Sequence, residues 1–340
     1  MTNERPARTF AVIPAFRARK TLRDVVEQAL VVVDTVIVVD DACPDRCGDA
    51  IDELVDGARV HLIRREKNGG VGAAMKTGIA EALRLDAEII VKIDADGQMD
   101  TRYVPHMIQF LRDQPEVDLI KGNRFMDPDT LRKMPIGRLI GNAGLTFLVK
   151  FSSGYWTLVD PTNGFLGLRA SALRGTDLAR LADRYFFEID LLCAFGLRRR
   201  AIAEMEMPSI YGDERSSLSI RQVLLTFPIH LLSRFIRRIV LNYLIIEINF
   251  GSICALIGFP LWVASIVFGI YQWNLSYVSG QPRATGTVML ALLLFMLGFQ
   301  LLIQALFYDV QFSTRTLKVR RDPDKPPVMA RGGSEVFFRS

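Results

Sequence analysis

Two aspartates spaced two apart close an apolar run, Val91-Lys-Ile-Asp94-Ala95-Asp96-Gly-Gln98, and so put two carboxylates and an amide oxygen at alternate positions. Hard oxygen donors of this kind suit Mg2+ or Mn2+, with a diphosphate filling the remaining coordination positions. A cation held there neutralises a departing diphosphate. Asp-x-Asp also occurs at Asp127-Pro-Asp129 and Asp322-Pro-Asp324, but only Asp94 and Asp96 follow a strand-like stretch. The same residues also fit an acidic turn that caps the helix after Asp100. A second acidic pair, Asp40-Asp41, ends a Val-rich run and enters Ala-Cys-Pro-Asp, a turn able to hold a carboxylate over a nucleoside or simply to cap itself. Third, Asn68-Gly-Gly-Val-Gly72 and Gly78 open a helix with glycines, which permits close backbone approach to a ligand or tight packing of the helix on a sheet. That stretch is neither a dinucleotide fingerprint nor a Walker A loop.

These groups need a scaffold that gathers strand ends. Thr9–Ala15, Thr35–Asp40, Arg59–Arg64, Glu88–Asp94 and Val117–Gly122 read as strands. Between them Leu22, Val25, Val26, Ala29, Leu30 and Val33 recur at helical spacing, and 70–85 and 101–113 are also helix-like. Such alternation predicts a mainly parallel α/β sheet covered on both faces, with ligands beyond the carboxyl ends of the strands. From 123 to 218 the pattern is less regular, with helices expected near 138–151 and 185–197.

Two segments of the 340-residue chain, 251–271 and 287–308, contain no charged residue, and each approaches the roughly 20 residues that cross a bilayer as a helix. Neither shows the polar stripe of a soluble core helix. Gln300 and Gln304, one helical turn apart, fit helix–helix hydrogen bonding and self-association better than a transport path. Arg234, Arg237 and Arg238 precede the first span, Arg315, Lys318, Arg320 and Arg321 follow the second, and the loop between carries only Arg283. That asymmetry predicts a cytoplasmic catalytic domain and C-terminus on an inner membrane. The first residues lack the apolar core of a cleavable signal, and four cysteines fit reduced thiols. A net charge of +5, gathered near the spans, favours anionic headgroups, and no basic–aromatic interleave points to nucleic acid. The expected organisation is a catalytic unit over 1–218, helices over 219–247 that lie in the membrane interface or pack on the soluble unit, spans within 248–312, and an extended tail over 313–340.

The ordered set Ile13-Pro14-Ala15-Phe16, Val39-Asp40-Asp41, Asn68-Gly-Gly-Val-Gly72, Asp94-Ala95-Asp96-Gly-Gln98, Gly122-Asn-Arg124-Phe125, Asp160-Pro-Thr-Asn-Gly164-Phe165 and Tyr211-Gly-Asp-Glu-Arg215-Ser-Ser-Leu218 resembles family 2 glycosyltransferases of the GT-A fold. The likeness is to the polyprenyl-phosphate sugar synthases, the dolichyl-phosphate mannose synthase and bactoprenol glucosyl transferase types. It implies that Pro14, Ala15, Phe16, Asp40, Asp41, Asn68, Gly72, Asp94 and Ala95 surround a nucleotide, and that Asp94, Asp96 and Gln98 hold Mg2+ or Mn2+. Arg124 would face the donor, with Arg138 and Arg215 meeting phosphates, a task suited to guanidinium. Arg138 fits a surface or headgroup-facing arginine equally well. Glu188 and Asp160 are site-shaping acids or loop-orienting ones. Arg17-Ala18 stand where many relatives have Asn-Glu, and Ala42-Cys43 where they have Gly-Ser, so base contacts made by those residues are not carried over.

The resemblance implies transfer of a sugar, from UDP-glucose first and GDP-mannose second, to polyprenyl phosphate with inversion; two spans offer no evident translocation path, so flipping the product would need a separate flippase or an oligomer. A glycan or glycolipid acceptor, or a catalytically silent membrane scaffold, are the competing readings; the Gln-x-x-Arg-Trp motif of processive synthases does not occur.

Overall fold

The structure is a computed structural model that describes residues 8–126, 136–207, 220–314, 316–320 and 324, without the side chains of Arg138 and 220–225. One unit comprises the chain through Leu231 together with the segment after Thr314; the second is Leu232–Thr314.

The first unit is built on an eight-stranded sheet ordered β3-β2-β1-β4-β6-β5-β7-β8. Its strands are β1 (Thr9–Ala15), β2 (Thr35–Asp40), β3 (Val60–Arg64), β4 (Ile89–Lys92), β5 (Val117–Asn123), β6 (Leu166–Arg169), β7 (Ala201–Glu206) and β8 (Thr316–Val319). Only β6 runs antiparallel to its neighbours, β4 and β5. Helices α1 (Leu22–Val32), α2 (Val71–Arg84), α3 (Val104–Asp113), α4 (Ile136–Ser153), α5 (Ala170–Arg174) and α6 (Phe187–Leu197) connect the strands. Alternate residues of β1 go to opposite faces. Phe10 and Val12 join a core with Ala74, Met75 and Ile79 of α2, whereas Ala11, Ile13 and Ala15 join one with Leu22, Val25 and Val26 of α1 and Met107 of α3. Both faces are therefore covered, which is why β1 and β2 read as continuous apolar runs. Gly78 lets α2 lie directly on the sheet, since a Cβ there would come within 2.4 Å of Val12.

Because β1 pairs with β2 on one side and β4 on the other, the strand order reverses at β1, and a crevice opens beyond the carboxyl ends of β1 and β4. Antiparallel β6 starts at the same end, pairing Leu166 with both Lys92 and Lys121, so the loop 160–165 is delivered to that crevice.

Thr316–Val319, inside the segment expected to be an extended tail, is edge strand β8 paired parallel to β7. The extended conformation is used for a sheet ladder, and the chain returns to the first unit after its two long helices.

The second unit holds the end of α7 (Ile220–Ile239), a π-helical stretch over Val240–Ile246, and α8 (Phe250–Ser279) and α9 (Thr285–Gln311). Both α8 and α9 are long and apolar enough to cross a bilayer, and only 17% and 6% of their apolar windows are buried. A core helix would be mostly buried. Gly258 and Gly298 let them pack at backbone distance, a Cβ on Gly298 falling 2.6 Å from Trp262 N. Asn249 caps α8 with a reciprocal Ser252 hydrogen bond. The Asp309 carboxylate is buried at the end of α9, bound by Arg238 through two nitrogens (2.7 and 2.9 Å) and by the Tyr243 hydroxyl at 2.5 Å.

Candidate active site

At the end of β4 the chain leaves the ladder and turns sharply. Gly97 takes φ +75°, in the left-handed region that favours glycine. The Asp96 Oδ1 accepts the Gln98 N–H at 3.0 Å, and the Ala95 carbonyl accepts the Thr21 hydroxyl at 2.6 Å. Beneath this turn Lys92 is fully buried. Its Nζ lies 2.5 Å from Asp94 Oδ1, 3.2 Å from Glu188 Oε1 on α6 and 3.2 Å from the Gly164 carbonyl. Burial opposes its charge, but the Asp94 and Glu188 carboxylates outweigh that and hold the ammonium above its ordinary range. Gly164 is where these groups converge: a Cβ there would sit 2.7 Å from Lys92 Nζ, 3.4 Å from Asp94 Oδ2 and 3.5 Å from Glu188 Oε1. Asp94 is one-third exposed. Lys92 pairs with one of its oxygens, and the donor set of Asp94, Asp96 and Gln98 is all hard oxygen, so these residues fit a Mg2+ or Mn2+ ion.

A second charged group lies on the far side of β6. Arg124, one residue past β5, donates from Nε and Nη2 to the two oxygens of Asp160 at 2.8 and 3.0 Å, and from its backbone N–H at 3.1 Å. Nη2 also reaches the Thr162 hydroxyl at 3.1 Å. Asp160 is fully buried; desolvation alone would raise its pKa, but the Arg124 guanidinium brings it below the usual carboxylate range. The Asp160 and Val159 N–H groups donate in turn to the buried Glu204 carboxylate of β7, at 2.8 and 3.1 Å, and Lys318 of β8 donates to the same carboxylate. Lys121 lies in the same row of the sheet, opposite Glu204. It is fully buried, with no hydrogen-bond partner for Nζ. Desolvation lowers its pKa to about 8 against the pull of Asp160 and Glu204.

On the other side of the crevice, Pro14 and Ala15 end β1 and Phe16 is exposed beside it, with the Arg17 guanidinium 5.4 Å from the ring centre. Asp40 Oδ1 and Oδ2 accept the Cys43 and Gly48 N–H groups at 2.8 and 2.9 Å, so this carboxylate shapes its own turn. Asp41 binds the glycine loop: it accepts from Gly70 N–H at 2.6 Å, from Gly69 N–H and from Arg65, while its carbonyl accepts from Asn68. The close approach at Gly72 is made by the protein itself, since a Cβ there would lie 2.3 Å from the Ala182 carbonyl and 2.7 Å from Phe187. Asp40, Cys43 and Cys47 form a compact buried group, but burial first, then the hydrogen bond with Cys43 and the charge of Asp40, push the Cys47 thiol far up.

The structure thus brings Asp94, Asp96, Ala95 and Gln98 together with Pro14, Ala15 and Phe16 at the strand reversal. Arg124 stands on the Asp160 side, and Asp40, Asp41 and Asn68 brace the loops between. Arg215, with the rest of Tyr211–Leu218, lies outside the described residues, as does the Arg138 side chain. Lys92, Lys121, Glu204 and Lys318 were not foreseen. The available signal was charged residues interrupting short apolar runs, as in Val91-Lys-Ile and Ala203-Glu-Met, positions that tolerate burial only when paired.

Residues 10–176 match the model of glycosyl transferase family 2. The chain is 29% identical over 219 residues to the UDP-N-acetylglucosamine–dolichyl-phosphate N-acetylglucosaminyltransferase of Methanococcus voltae, covering 60% of this chain and 86% of that protein. It is 32% identical over 191 residues to the polyprenol monophosphomannose synthase of Mycolicibacterium smegmatis, covering 54% and 70%. Among solved structures, a mycobacterial protein superposes with a TM-score of 0.50 at 19% identity, covering 68% of this chain and 75% of that one, a likeness of fold. With strand-end carboxylates at the reversal of a GT-A-like sheet and this degree of likeness to named sugar transferases, the chain belongs to glycosyl transferase family 2 and is a hexosyltransferase.

Proposed function

We propose that this enzyme moves a sugar from a nucleoside-diphosphate sugar to a polyprenyl phosphate at the cytoplasmic face of an inner membrane. UDP-glucose is the first donor to test and GDP-mannose the second; the relatives' names add UDP-N-acetylglucosamine. The observation that carries the acceptor is that α8 and α9 are long and apolar enough to cross a bilayer and leave their apolar surface almost entirely exposed, a surface that lipid suits. A site on such an anchor is suited to an acceptor that cannot leave the bilayer. The return of the chain to β8, in the sheet it left after β7, supports placing both ends of the hairpin on one side, in agreement with the flanking arginines.

The acceptor phosphate is already anionic at neutral pH, so its oxygen attacks the anomeric carbon without a base to remove a proton. The new C1–O bond forms as the bond to the nucleoside diphosphate breaks, with inversion, and the diphosphate leaves with the electron pair. A divalent ion, when held by Asp94, Asp96 and Gln98, supplies neutralisation of the leaving diphosphate. Lys92 fixes the Asp94 and Glu188 carboxylates, and Asp160 fixes Arg124, leaving the guanidinium oriented toward a phosphate. Phe16 offers an exposed ring beside the base site. Association into oligomers through the spans and a separate flippase for the product belong to the same proposal.

The test is transfer by the full-length protein in detergent, with undecaprenyl phosphate, Mg2+ or Mn2+ and a panel of labelled UDP- and GDP-sugars. Acid-labile label in the organic phase, dependent on metal and lost in Asp96→Ala, is the expected result. Folded protein that transfers from no donor, or transfers only to a glycan, overturns the acceptor assignment.

A further inference from the structure

We propose that Lys318, on the strand that follows the second long helix, is a positioning residue for Arg124, acting through Glu204 and the segment 157–160. The role of Arg124 in binding phosphate rests on the function proposed above; the mechanical linkage does not.

The linkage is continuous. Strand β8 aligns Ile202 with Thr316 and Glu204 with Lys318. Lys318 donates to the fully buried Glu204 carboxylate, one-third of its own side chain remaining exposed. Both Glu204 oxygens accept backbone N–H groups, from Val159 (3.1 Å each) and from Asp160 (2.8 Å). Those two residues form the start of the loop whose next functional group, the Asp160 carboxylate, grips Arg124 in a two-point pair. A second tie runs in parallel, from Thr316 N–H to the Thr157 hydroxyl at 3.1 Å. The Arg320–Glu206 pair at 2.9 Å is largely exposed and adds little.

Electrostatics makes Lys318 the sensitive member. A carboxylate as buried as Glu204 is costly to leave without a cation beside it, and the pairing with Lys318 is what fixes the oxygens that hold the two N–H groups. Lys121 stands opposite it but also faces Asp160. Removing Lys318 leaves one unpartnered lysine shared by two carboxylates, and the 157–160 segment loosens. Arg124 then samples positions away from the donor diphosphate, and a misplacement near 1 Å costs on the order of 100-fold in rate. The strand that enters the sheet only after both long helices have been traversed therefore completes the phosphate-binding side of the site.

The experiment compares wild type, Lys318→Met, Lys318→Arg, Glu204→Gln and Lys318→Met/Glu204→Gln, all full-length. It reads hydrogen–deuterium exchange of 157–164 and of β1–β4, and kcat and KM for donor and lipid. Expected are faster exchange confined to 157–164 in both single charge-removing variants, a 10- to 100-fold fall in kcat/KM, rescue by Lys318→Arg, and a double variant no worse than either single one. Wild-type exchange and kinetics in Lys318→Met, independent additive losses in the double variant, or deprotection of β1–β4 along with 157–164 would each overturn the linkage. If wild type transfers no sugar to polyprenyl phosphate, the function reading falls, and the exchange data alone still decide whether Lys318 orders the loop.

Discussion

Adding one methyl group at residue 164 tests whether the Lys92–Asp94–Glu188 arrangement sets the rate. A Cβ on Gly164 falls 2.7 Å from Lys92 Nζ, while ordinary contact begins near 3.4 Å, so about 0.7 Å of movement is needed. Lys92 is completely buried and held at 2.5 Å by Asp94 and 3.2 Å by Glu188, so the ammonium cannot retreat without dragging Asp94 or giving up one of its partners. Positional errors of this size are worth roughly 10- to 100-fold in rate, and the overpacking itself about 1–3 kcal/mol of stability. Gly164→Ala is therefore expected to lower kcat/KM for sugar transfer by that factor. The comparator is Gly167→Ala, three residues along, where a Cβ would meet Ile120 at 2.9 Å in the apolar layer beneath α3. It should lose a similar amount of thermal stability but keep kcat/KM per folded molecule. The assay is initial-rate transfer at saturating and limiting donor, with thermal melts of the same preparations. A Gly164→Ala enzyme within twofold of wild type in kcat/KM, or a Gly167→Ala enzyme equally slowed, refutes the reasoning.

Three further outcomes are expected. Lys121 has a folded pKa of about 8 against an ordinary 10.5; between these values the unfolded chain binds more protons than the folded one, so stability rises with pH across that window. Urea melts at pH 7.5 and 9.5 should show this rise in wild type and lose it in Lys121→Met. Asp160→Asn removes the charge that Arg124 grips and should cut kcat/KM about 10- to 100-fold. It should also flatten the acid limb of stability: the Asp160 contribution is present at neutral pH and is lost as pH falls through a folded pKa below the usual carboxylate value. Finally, a Cβ on Gly196 would lie 1.8 Å from the Ser153 carbonyl oxygen, backbone that cannot yield as a side chain can. Gly196→Ala should cost about 3 kcal/mol or more, read as a lower melting midpoint.

The elements legible in the sequence are those whose burial is apolar on both faces. Strands β1 and β2 coincide with the runs Thr9–Ala15 and Thr35–Asp40, because most positions of the pleat offer an apolar, often β-branched, residue to one core or the other. β4 stops at Lys92, two residues short of the expected Asp94: Ile93 N–H still donates to the Val12 carbonyl at 3.1 Å, and from Asp94 the chain builds the turn that presents the carboxylates. The missed strands carry charge or glycine in short runs: Leu166–Arg169 contains Gly167, Ala201–Glu206 contains two glutamates, and Thr316–Val319 contains Lys318. Glu204 among them is buried only because Lys318 and the backbone of Val159 and Asp160 come from distant stretches to meet it, which no local pattern reports. The same asymmetry runs through the site. Its acids could be picked out by type and spacing, whereas Lys92 and Lys121, their counter-charges, sit inside strand runs and read as ordinary interruptions.

Those counter-charges explain how so acidic a site is tolerated. Asp94, Glu188, Asp160 and Glu204 are matched by Lys92, Lys121, Arg124 and Lys318, distributed along neighbouring strands so that Lys92 and Lys121 flank Leu166 in one row. Buried ion pairs of this kind return little net stability, since desolvation consumes most of the attraction. An apolar row at the same positions would hold the sheet as well or better. What it would lack is a fixed direction for each carboxylate: Asp94 Oδ1 is pinned by Lys92 while Asp94 itself remains one-third exposed, and Asp160 is spent on Arg124 so that the guanidinium, not the acid, faces outward. With its own charges balanced, the array has no surplus cation for the diphosphate and the acceptor phosphate that the proposed reaction brings together. In the proposed reaction their added negative charge would be met by a divalent ion at Asp94 and Asp96, so the strand-end carboxylates, rather than the lysines beneath them, are the groups through which a metal would set the rate.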